Sequence, residues 1–318
     1  MIFIKYQCIN NKINRRIFDK KIESEVDNKK SKTINNLLKN KTILITGGAG
    51  SICSVLVKKL LEYPVQSIRV LDIDEHALFR LNRTLKDKRI RLLLGNVLDK
   101  ERVERAVQGA DVVIHAAAVK NIEITEFNPI ETIDINIQGT VNLIQMAIKN
   151  KPKIFLNIST DKAADPTTLY GTTKQIGERL TSWAGHHHLH NTKFGTVRFA
   201  NVMETRGNVF DVWENEVKKN QPITLTDKKA ERYFFKVDEA VNFVLKCLPL
   251  CKEGEIFVPK MKPYKIIDLA NKYSKKHKLI GLRQGEKMIE LLLTESEKVT
   301  AKETKEMWTI TTYKNSRK

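Results

Sequence analysis

From Lys41 onward the chain alternates short, continuously apolar runs with amphipathic stretches, and this rhythm limits the possible folds more than any other feature. Thr42-Ile43-Leu44-Ile45-Thr46, Ile68 to Leu71, Ile90 to Leu94, Val112 to Ile114 and Ile154 to Ile158 read as strands. Between them, helices are expected from Ser51 to Tyr63, about Glu75 to Leu85, about Lys100 to Val107 and about Ile130 to Lys149, with Pro64 stopping the first. Strands and helices alternating at this spacing argue for βαβ units and a parallel sheet. The strands are apolar throughout rather than at every second residue, so both sheet faces should be covered. The expected fold class is α/β, a doubly wound parallel sheet.

Beyond Phe199 the rhythm breaks. Gly207 to Asn220, Val237 to Cys247 and Ile266 to Tyr273 read as helices with short strands between them, which suggests a smaller lobe closing over the carboxyl edge of the sheet. The expected organisation is a basic, Lys- and Asn-rich extension over 1–40, a sheet domain over 41–202, and a smaller lobe with its tail over 203–318. Net charge is +19, and residues 1–41 hold eleven basic against four acidic residues. Elsewhere Lys and Glu are interspersed, as on a solvated surface, so no nucleic-acid partner is expected. The positive field would still attract a small anion.

No apolar run approaches the roughly 20 residues of a membrane-spanning helix. Lys5 interrupts the opening Met1-Ile2-Phe3-Ile4, so no signal peptide is expected either. A cytoplasmic protein without a membrane partner is therefore expected. Cys8, Cys53, Cys247 and Cys251 form neither a disulfide framework nor a zinc spacing, and read as buried thiols.

Thr46-Gly47-Gly48-Ala49-Gly50-Ser51-Ile52-Cys53 joins the first strand to the first helix. Glycines there let backbone N–H groups approach a pyrophosphate at the helix amino end, which makes the sheet Rossmann-type. Asp72 ends the second strand, where a carboxylate accepts hydrogen bonds from ribose hydroxyls and repels a 2′-phosphate. That favours NAD over NADP. Cys53 stands where a third glycine would allow close helix–strand packing, so weaker cofactor binding or a shifted helix is expected.

Asn157-Ile158-Ser159-Thr160-Asp161-Lys162 ends the fifth strand, and Tyr170-Gly171-Thr172-Thr173-Lys174 opens the next helix. Tyr170 and Lys174, four apart, share a helix face. A nearby ammonium would lower the phenol's pKa, making Tyr170 a base toward a sugar hydroxyl.

With these strings the chain resembles extended short-chain dehydrogenase/reductases acting on nucleotide sugars. Among them it is most similar to the UDP-N-acetylglucosamine 4,6-dehydratases, the CapD-like polysaccharide biosynthesis proteins. The resemblance runs from about Lys41 to Glu297. It is carried further by His115-Ala116-Ala117-Ala118-Val119-Lys120, Glu126-Phe127-Asn128-Pro129, Ser159-Thr160-Asp161-Lys162-Ala163 and Val197-Arg198-Phe199-Ala200-Asn201-Val202. Thr205-Arg206-Gly207, Gly254-Glu255-Ile256-Phe257-Val258-Pro259-Lys260 and Gly285-Glu286-Lys287 complete it.

The resemblance implies NAD (or NADP) held by Thr46, Gly47, Gly50, Ser51, Ile52, Asp72, Ile73, Asn96, Val97, Ala116, Ala117 and Lys120, together with Tyr170 and Lys174. Asn96 and Val97 would sit beside the adenine. Catalysis would fall to Thr160, Asp161, Lys162, Tyr170 and Lys174. Tyr170 would take the 4-hydroxyl proton, a neutral Lys162 with a depressed pKa would take the C5 proton, and a protonated Asp161 would release the C6 hydroxyl. A UDP-sugar would be held by Lys120, Lys162, Asn201, Arg206, Arg232, Arg283 and Glu286, the arginines gripping phosphate with their planar forks. Asn96 in place of Asp, Asn121-Ile122-Glu123 in place of His-Val-Pro, and Gln284 in place of Pro depart from the family pattern.

His186-His187-His188 and His190 read as a solvated run, without a metal, and Trp183, Trp213 and Trp308 as packing residues. The helix from Ile130 presents Ile133, Ile137, Val141, Leu143, Ile144 and Ala147, a face that in this superfamily often pairs between subunits, so a homo-oligomer is expected. Two rivals remain: a UDP-sugar 4- or 2-epimerase, and a nucleotide-binding or scaffold protein that has lost turnover.

Overall fold

The structure, a computed structural model, describes residues 32–187, 191–205 and 207–313. Cys8, His188, His190 and Arg206 therefore lie outside the described residues. Strands β1 (Thr42–Thr46), β2 (Ser67–Asp72), β3 (Ile90–Leu94), β4 (Val112–His115), β5 (Ile154–Thr160), β6 (Lys193–Phe199), β11 (Glu253–Pro259), β14 (Lys302–Glu303) and β15 (Met307–Ile310) build one sheet. Their order is β14-β15-β11-β6-β5-β4-β1-β2-β3. The run from β3 to β11 is parallel, while β15 pairs antiparallel with β11 and with β14. Chain order reverses between β1 and β4, and ligands of such sheets bind outside the carboxyl ends at that switch point.

The apolar strands serve two cores. Ile43 and Ile45 face one cluster with Leu56, Val57, Val241 and Val244, while Leu44 between them faces the other with Val103, Leu143, Ile144 and Ala147. Val112 and Ile114 divide from Val113 in the same way, and Ile154 and Leu156 from Phe155. Side chains of a strand alternate across it, so a doubly covered strand must be apolar at every position.

Several expected helices form as read: Glu75–Leu85, Lys100–Val107 and Val237–Cys247. Asp74 caps the first by accepting the Ala77 N–H at 2.8 Å, and Asp99 caps the second from Arg102 at 2.9 Å. The helix expected over 130–149 is interrupted. Pro129–Ile133 gives way to a π-turn, Asp134–Gln138, before Gly139–Asn150 resumes. A Cβ on Gly139 would lie 2.6 Å from Val97 Cγ2, so the helix rests directly on the loop after β3. The extra residue of the π-turn re-aims Asn136, whose side chain grips both the N–H and the carbonyl of Val119. The apolar face expected on this helix divides accordingly: Leu143, Ile144 and Ala147 are buried, whereas Ile133 is 40% exposed.

Two expected boundaries shift. Residues 32–38, assigned to the extension, are helical, and Leu38 is fully buried in the core. The cut at residue 202 separates segments that the sheet joins, because β11 pairs with β6 and β15 with β11. What stands apart is a small cluster of Trp213, Ile223, Leu225, Ala230, Phe234, Ile266, Leu269 and Ala270. It surrounds the helix Val209–Lys218, and Trp213 donates its indole N–H to Thr224 O at 3.0 Å. Among the described residues no helix is long and apolar enough to cross a membrane.

Candidate active site

Five turns converge at the carboxyl edge. After β1, Gly47 holds φ +64°, and a Cβ there would come within 2.8 Å of the Ala117 backbone. Gly50 then precedes the helix Ser51–Leu60, whose first turn carries no acidic residue. Asp72 fixes this loop: one carboxylate oxygen accepts the Ala49 N–H at 2.9 Å and the other the Asp74 N–H at 3.1 Å. An ionised carboxylate has about four lone-pair sites, so both oxygens retain capacity for ribose hydroxyls. A cradle closed to any Cβ, a helix amino end and an anchored acid fit a dinucleotide. Ile73, 67% exposed, flanks the cradle, and Ser51 and Ile52 are half-buried.

Asn96 and Val97 follow β3 at the same edge. Asn96 Oδ1 accepts the Leu98 N–H at 3.0 Å, and Val97 turns inward against Gly139, only 5% exposed. Its carbonyl is taken by Asn142. Cys53 is a buried thiol, as expected. The helix forms around a thiol buried in the apolar core, its pKa pushed up to about 12 by burial and by Asp72. Cys247 and Cys251 are likewise buried thiols, raised by burial.

Thr46 belongs to a buried chain. Its Oγ1 lies 2.7 Å from His115 Nδ1, and His115 Nε2 lies 3.0 Å from Thr140 Oγ1. Thr140 gives its proton to the Asn136 carbonyl, so its oxygen accepts from Nε2–H and Nδ1 accepts from Thr46. Burial, with a contribution from Lys174, lowers the His115 pKa to about 3, which agrees with a neutral ring. Ala116 and Ala117 donate from their backbones to the Thr46 carbonyl and hydroxyl, and Lys120 ends the turn exposed.

The turn after β5 carries the reactive groups. Asp161, 1% exposed, accepts the Thr160 hydroxyl at 2.8 Å and Lys162 Nζ at 3.1 Å on the same Oδ1. Its Oδ2 is buried without a hydrogen-bond partner. Lys162 Nζ also donates to Asn201 Oδ1 at 3.3 Å and lies 3.6 Å from Glu290 Oε1. Burial works to lower the Lys162 pKa, but Asp161 and Glu290 outweigh it and the amine is raised above its ordinary range. The depressed lysine expected from the sequence is therefore corrected: the resting group is an ammonium between carboxylates.

Gly171 lets the helix Leu169–His187 start against this turn, for a Cβ there would sit 2.4 Å from the Lys162 carbonyl. Burial raises Tyr170, Lys162 and a hydrogen bond with Thr160 pull it back, Asp161 adds to the rise, and the net direction is upward. The ammonium acting on the phenol is thus Lys162, not the expected Lys174. Burial brings Lys174 down to about 8, against an opposing contribution from Glu178.

Across the edge, a cavity of about 230 Å³ is lined by Asn201, Thr226, Arg232, Arg283 and Glu286. Four of the residues assigned to substrate thus meet in one place. Arg232 Nη2 donates to Glu286 Oε1 at 2.8 Å, and Glu286 also accepts the Thr226 hydroxyl at 3.1 Å. Arg283 is exposed and pairs with Glu123 at 3.2 Å. A second cavity of about 260 Å³, between the helices Ser51–Leu60 and Glu75–Leu85, holds none of these groups.

Two acids escaped the sequence reading. Glu290, 5% exposed, stands between Lys162 and Arg232 Nε, the latter 4.0 Å away. Glu178, one turn beyond Lys174, binds the buried Arg198 through both oxygens at 2.9 and 2.6 Å and accepts Ser159 Oγ at 2.6 Å. Its spacing of four from Lys174 was a usable signal; Glu290 had none.

A doubly wound sheet with a glycine cradle at its switch point, and a Tyr-x-x-x-Lys helix after its fifth strand, defines an extended short-chain dehydrogenase/reductase. The polysaccharide biosynthesis protein family matches residues 43–312, and the chain belongs to it. It is 42% identical over 294 residues to an uncharacterized membrane protein of Methanocaldococcus jannaschii, covering 88% of each chain. It is 36% identical over 266 residues to the inverting UDP-N-acetylglucosamine 4,6-dehydratase of Campylobacter jejuni, covering 81% of this chain and 79% of that one. The crystal structure of Pen from Bacillus thuringiensis superposes with a TM-score of 0.83 at 35% identity, over 86% of this chain and 89% of that one.

Proposed function

We propose that the protein removes water from a UDP-N-acetylhexosamine, UDP-N-acetylglucosamine in the first instance, to give a 4-keto-6-deoxy sugar nucleotide for polysaccharide or glycan synthesis. The observation that carries this reading is the buried Asp161–Lys162 pair, 3.1 Å apart beside Tyr170 and joined through Asn201 to the Arg232 cavity. Epimerisation at C4 needs one proton-transferring group at that carbon. A dehydration needs a second base at C5 and an acid at C6. The dehydratase of Campylobacter jejuni supports the same choice.

When bound in the glycine cradle, a nicotinamide dinucleotide, NAD in preference to NADP because of Asp72, would accept the C4 hydride and return it at C6. Tyr170, once its own phenolic proton has left to solvent, takes the 4-hydroxyl proton as the phenolate. One proton passes from Lys162 to Asp161, turning the resting ion pair into a neutral amine and a neutral acid. Lys162 then removes the C5 proton while Asp161 protonates the departing C6 hydroxyl, which leaves as water. Lys162 returns a proton to C5, and return to the opposite face epimerises that centre. The cycle leaves Tyr170 with one proton more and the Asp161–Lys162 pair with one fewer, the deficit resting on Lys162, to which Asp161 can pass a proton on. Thr160, bonded to Tyr170 and donating to Asp161 at 2.8 Å, supplies the path between them. Asn201, Arg232, Arg283 and Glu286 hold the UDP group, with Arg206 and Lys120 assigned there by resemblance.

Exposed Phe127, Ile130 and Ile133 along one edge support a homo-oligomer. The test is mass spectrometry of UDP-N-acetylglucosamine incubated with the purified protein and catalytic NAD⁺ or NADP⁺. A product lighter by one water, without net cofactor reduction, is expected. A new isomer of unchanged mass would move the assignment to an epimerase, and bound cofactor with unchanged sugar to a nucleotide-binding protein without turnover.

A further inference from the structure

Lys162 Nζ faces three acceptors: Asp161 Oδ1 at 3.1 Å, Asn201 Oδ1 at 3.3 Å and Glu290 Oε1 at 3.6 Å. An ammonium has three protons to give and nothing to accept with. Three acceptors therefore match the cation, whereas a neutral amine would point its lone pair at one of them. Becoming a base requires one corner to open. Asp161 is the neighbouring residue on the same short turn, and Asn201 is pinned by donating its amide to the Tyr233 carbonyl at 3.2 Å. Glu290 is different. It lies beyond hydrogen-bond reach, comes from another part of the chain, and shares the same oxygen with Arg232 Nε at 4.0 Å.

We propose that Glu290 is the positioning residue for Lys162: it holds the resting ammonium from the cavity side, and its corner is the one through which the amine reaches substrate. The charged and titratable groups facing Lys162 are Asp161, Glu290 and Tyr170; those facing Glu290 are Lys162 and Arg232, with Glu286 on the far side of that guanidinium. Without Glu290, Lys162 keeps Asp161 and Arg232 keeps Glu286, so neither cation is stranded. The elevation of the Lys162 pKa by Glu290 agrees with the geometry. The catalytic consequence rests on the dehydratase reading, while the positioning can be measured without it.

The measurement is competitive acylation by acetic anhydride from about pH 8 to about pH 12, spanning the ordinary lysine range. Mass spectrometry of the peptide bearing Lys162 reads the midpoint. Removing one counter-charge destabilises the ammonium, so Glu290→Gln should lower that midpoint by about one pH unit. Glu290→Asp, with its carboxylate drawn back by a methylene, should lower it by less. A wild-type midpoint in whichever of these variants folds overturns the proposal. If the protein loses water from its sugar, the acid limb of kcat should move down with the labelling midpoint. A change confined to KM would assign Glu290 to Arg232 alone and also overturn it. Absence of water loss by the wild-type protein removes the dehydratase reading and leaves the labelling result to judge Glu290.

Discussion

Two glycines on the helix Leu169–His187 should respond oppositely to alanine. At Gly171 a Cβ would lie 2.4 Å from the Lys162 carbonyl oxygen and 3.2 Å from Pro166 Cβ. The oxygen is backbone and cannot swing aside, so the helix start must move away from the catalytic turn. Overpacking of this kind costs about 1–3 kcal/mol, and replacing a helical glycine gives back about 0.5–1 kcal/mol. A net loss of about 1–2 kcal/mol at roughly 2 °C per kcal/mol lowers Tm by roughly 2–4 °C. The same movement displaces Tyr170 from Asp161 and Lys162, and a 1 Å misplacement can cost about 100-fold in rate. At Gly177 the nearest atoms would be Asn157 Nδ2 at 3.6 Å and Thr140 Cγ2 at 4.0 Å, which is ordinary contact. Gly177→Ala should therefore raise Tm by about 1–2 °C and keep turnover. Thermal unfolding and the water-loss assay on both variants test this. Equal effects, or a Gly171→Ala protein with wild-type Tm and rate, would refute the seating of this helix on the Lys162 turn.

Other expectations follow from buried charge. The Lys174 amine titrates near 8 when folded against about 10.5 as a free side chain, so between those pH values the unfolded chain binds the extra proton. Stability should rise with pH across that window, and Lys174→Met should flatten the rise while abolishing turnover, as thermal unfolding at several pH values will show. Arg198→Met leaves Glu178 buried without its bidentate partner and should cost about 3–5 kcal/mol in urea unfolding. Cys53→Gly removes a buried thiol from the core and inserts a glycine into a helix; a loss of about 1–3 kcal/mol with no gain in cofactor affinity is expected from unfolding and cofactor titration.

The sheet was legible because its message is local. Ile43–Ile45 and Val112–Ile114 are apolar at consecutive positions, and only a doubly covered strand needs that. Helix bounds at Glu75–Leu85 and Lys100–Val107 were legible because Asp74 and Asp99 announce them. The π-turn at Asp134–Gln138 was not, since it lies where Gly139 meets Val97, a contact that exists only in the fold. Nor was the return of Glu253–Pro259 to the sheet, because nothing within a strand names its neighbour. In the site, Thr160, Asp161, Lys162 and Tyr170 lie together, whereas Lys174 bears on His115 and Glu178, and the resting charge expected of Lys162 was inverted. Adjacent Asp161 was visible, but Glu290 reaches Lys162 only through the fold, and its charge adds to that of Asp161 against burial.

One stretch of chain connects these facts. Glu286 and Glu290 meet Arg232 and Lys162, and a few residues later Leu292 O and Glu297 meet Arg198. Arg198 in turn holds Glu178, whose charge acts on Lys174. Residues 286–297 therefore act as a strap laid across both amines, through Glu290 on one and through the Arg198–Glu178 pair on the other. Arg198 donates three hydrogen bonds to this stretch, to Leu292 O and to both Glu297 oxygens, and Arg232 donates to Glu286 and to Met288 O at 2.8 and 3.1 Å, whereas the Glu290 carboxylate between them has contacts of 3.6 and 4.0 Å. The stretch is thus fastened on both sides of Glu290, and the group held least is the Glu290 side chain, close to the Arg232 that lines the cavity. An anion drawn to Arg232 would then be expected to displace the Glu290 carboxylate rather than the chain that carries it, leaving Arg198, Glu178 and Lys174 in place.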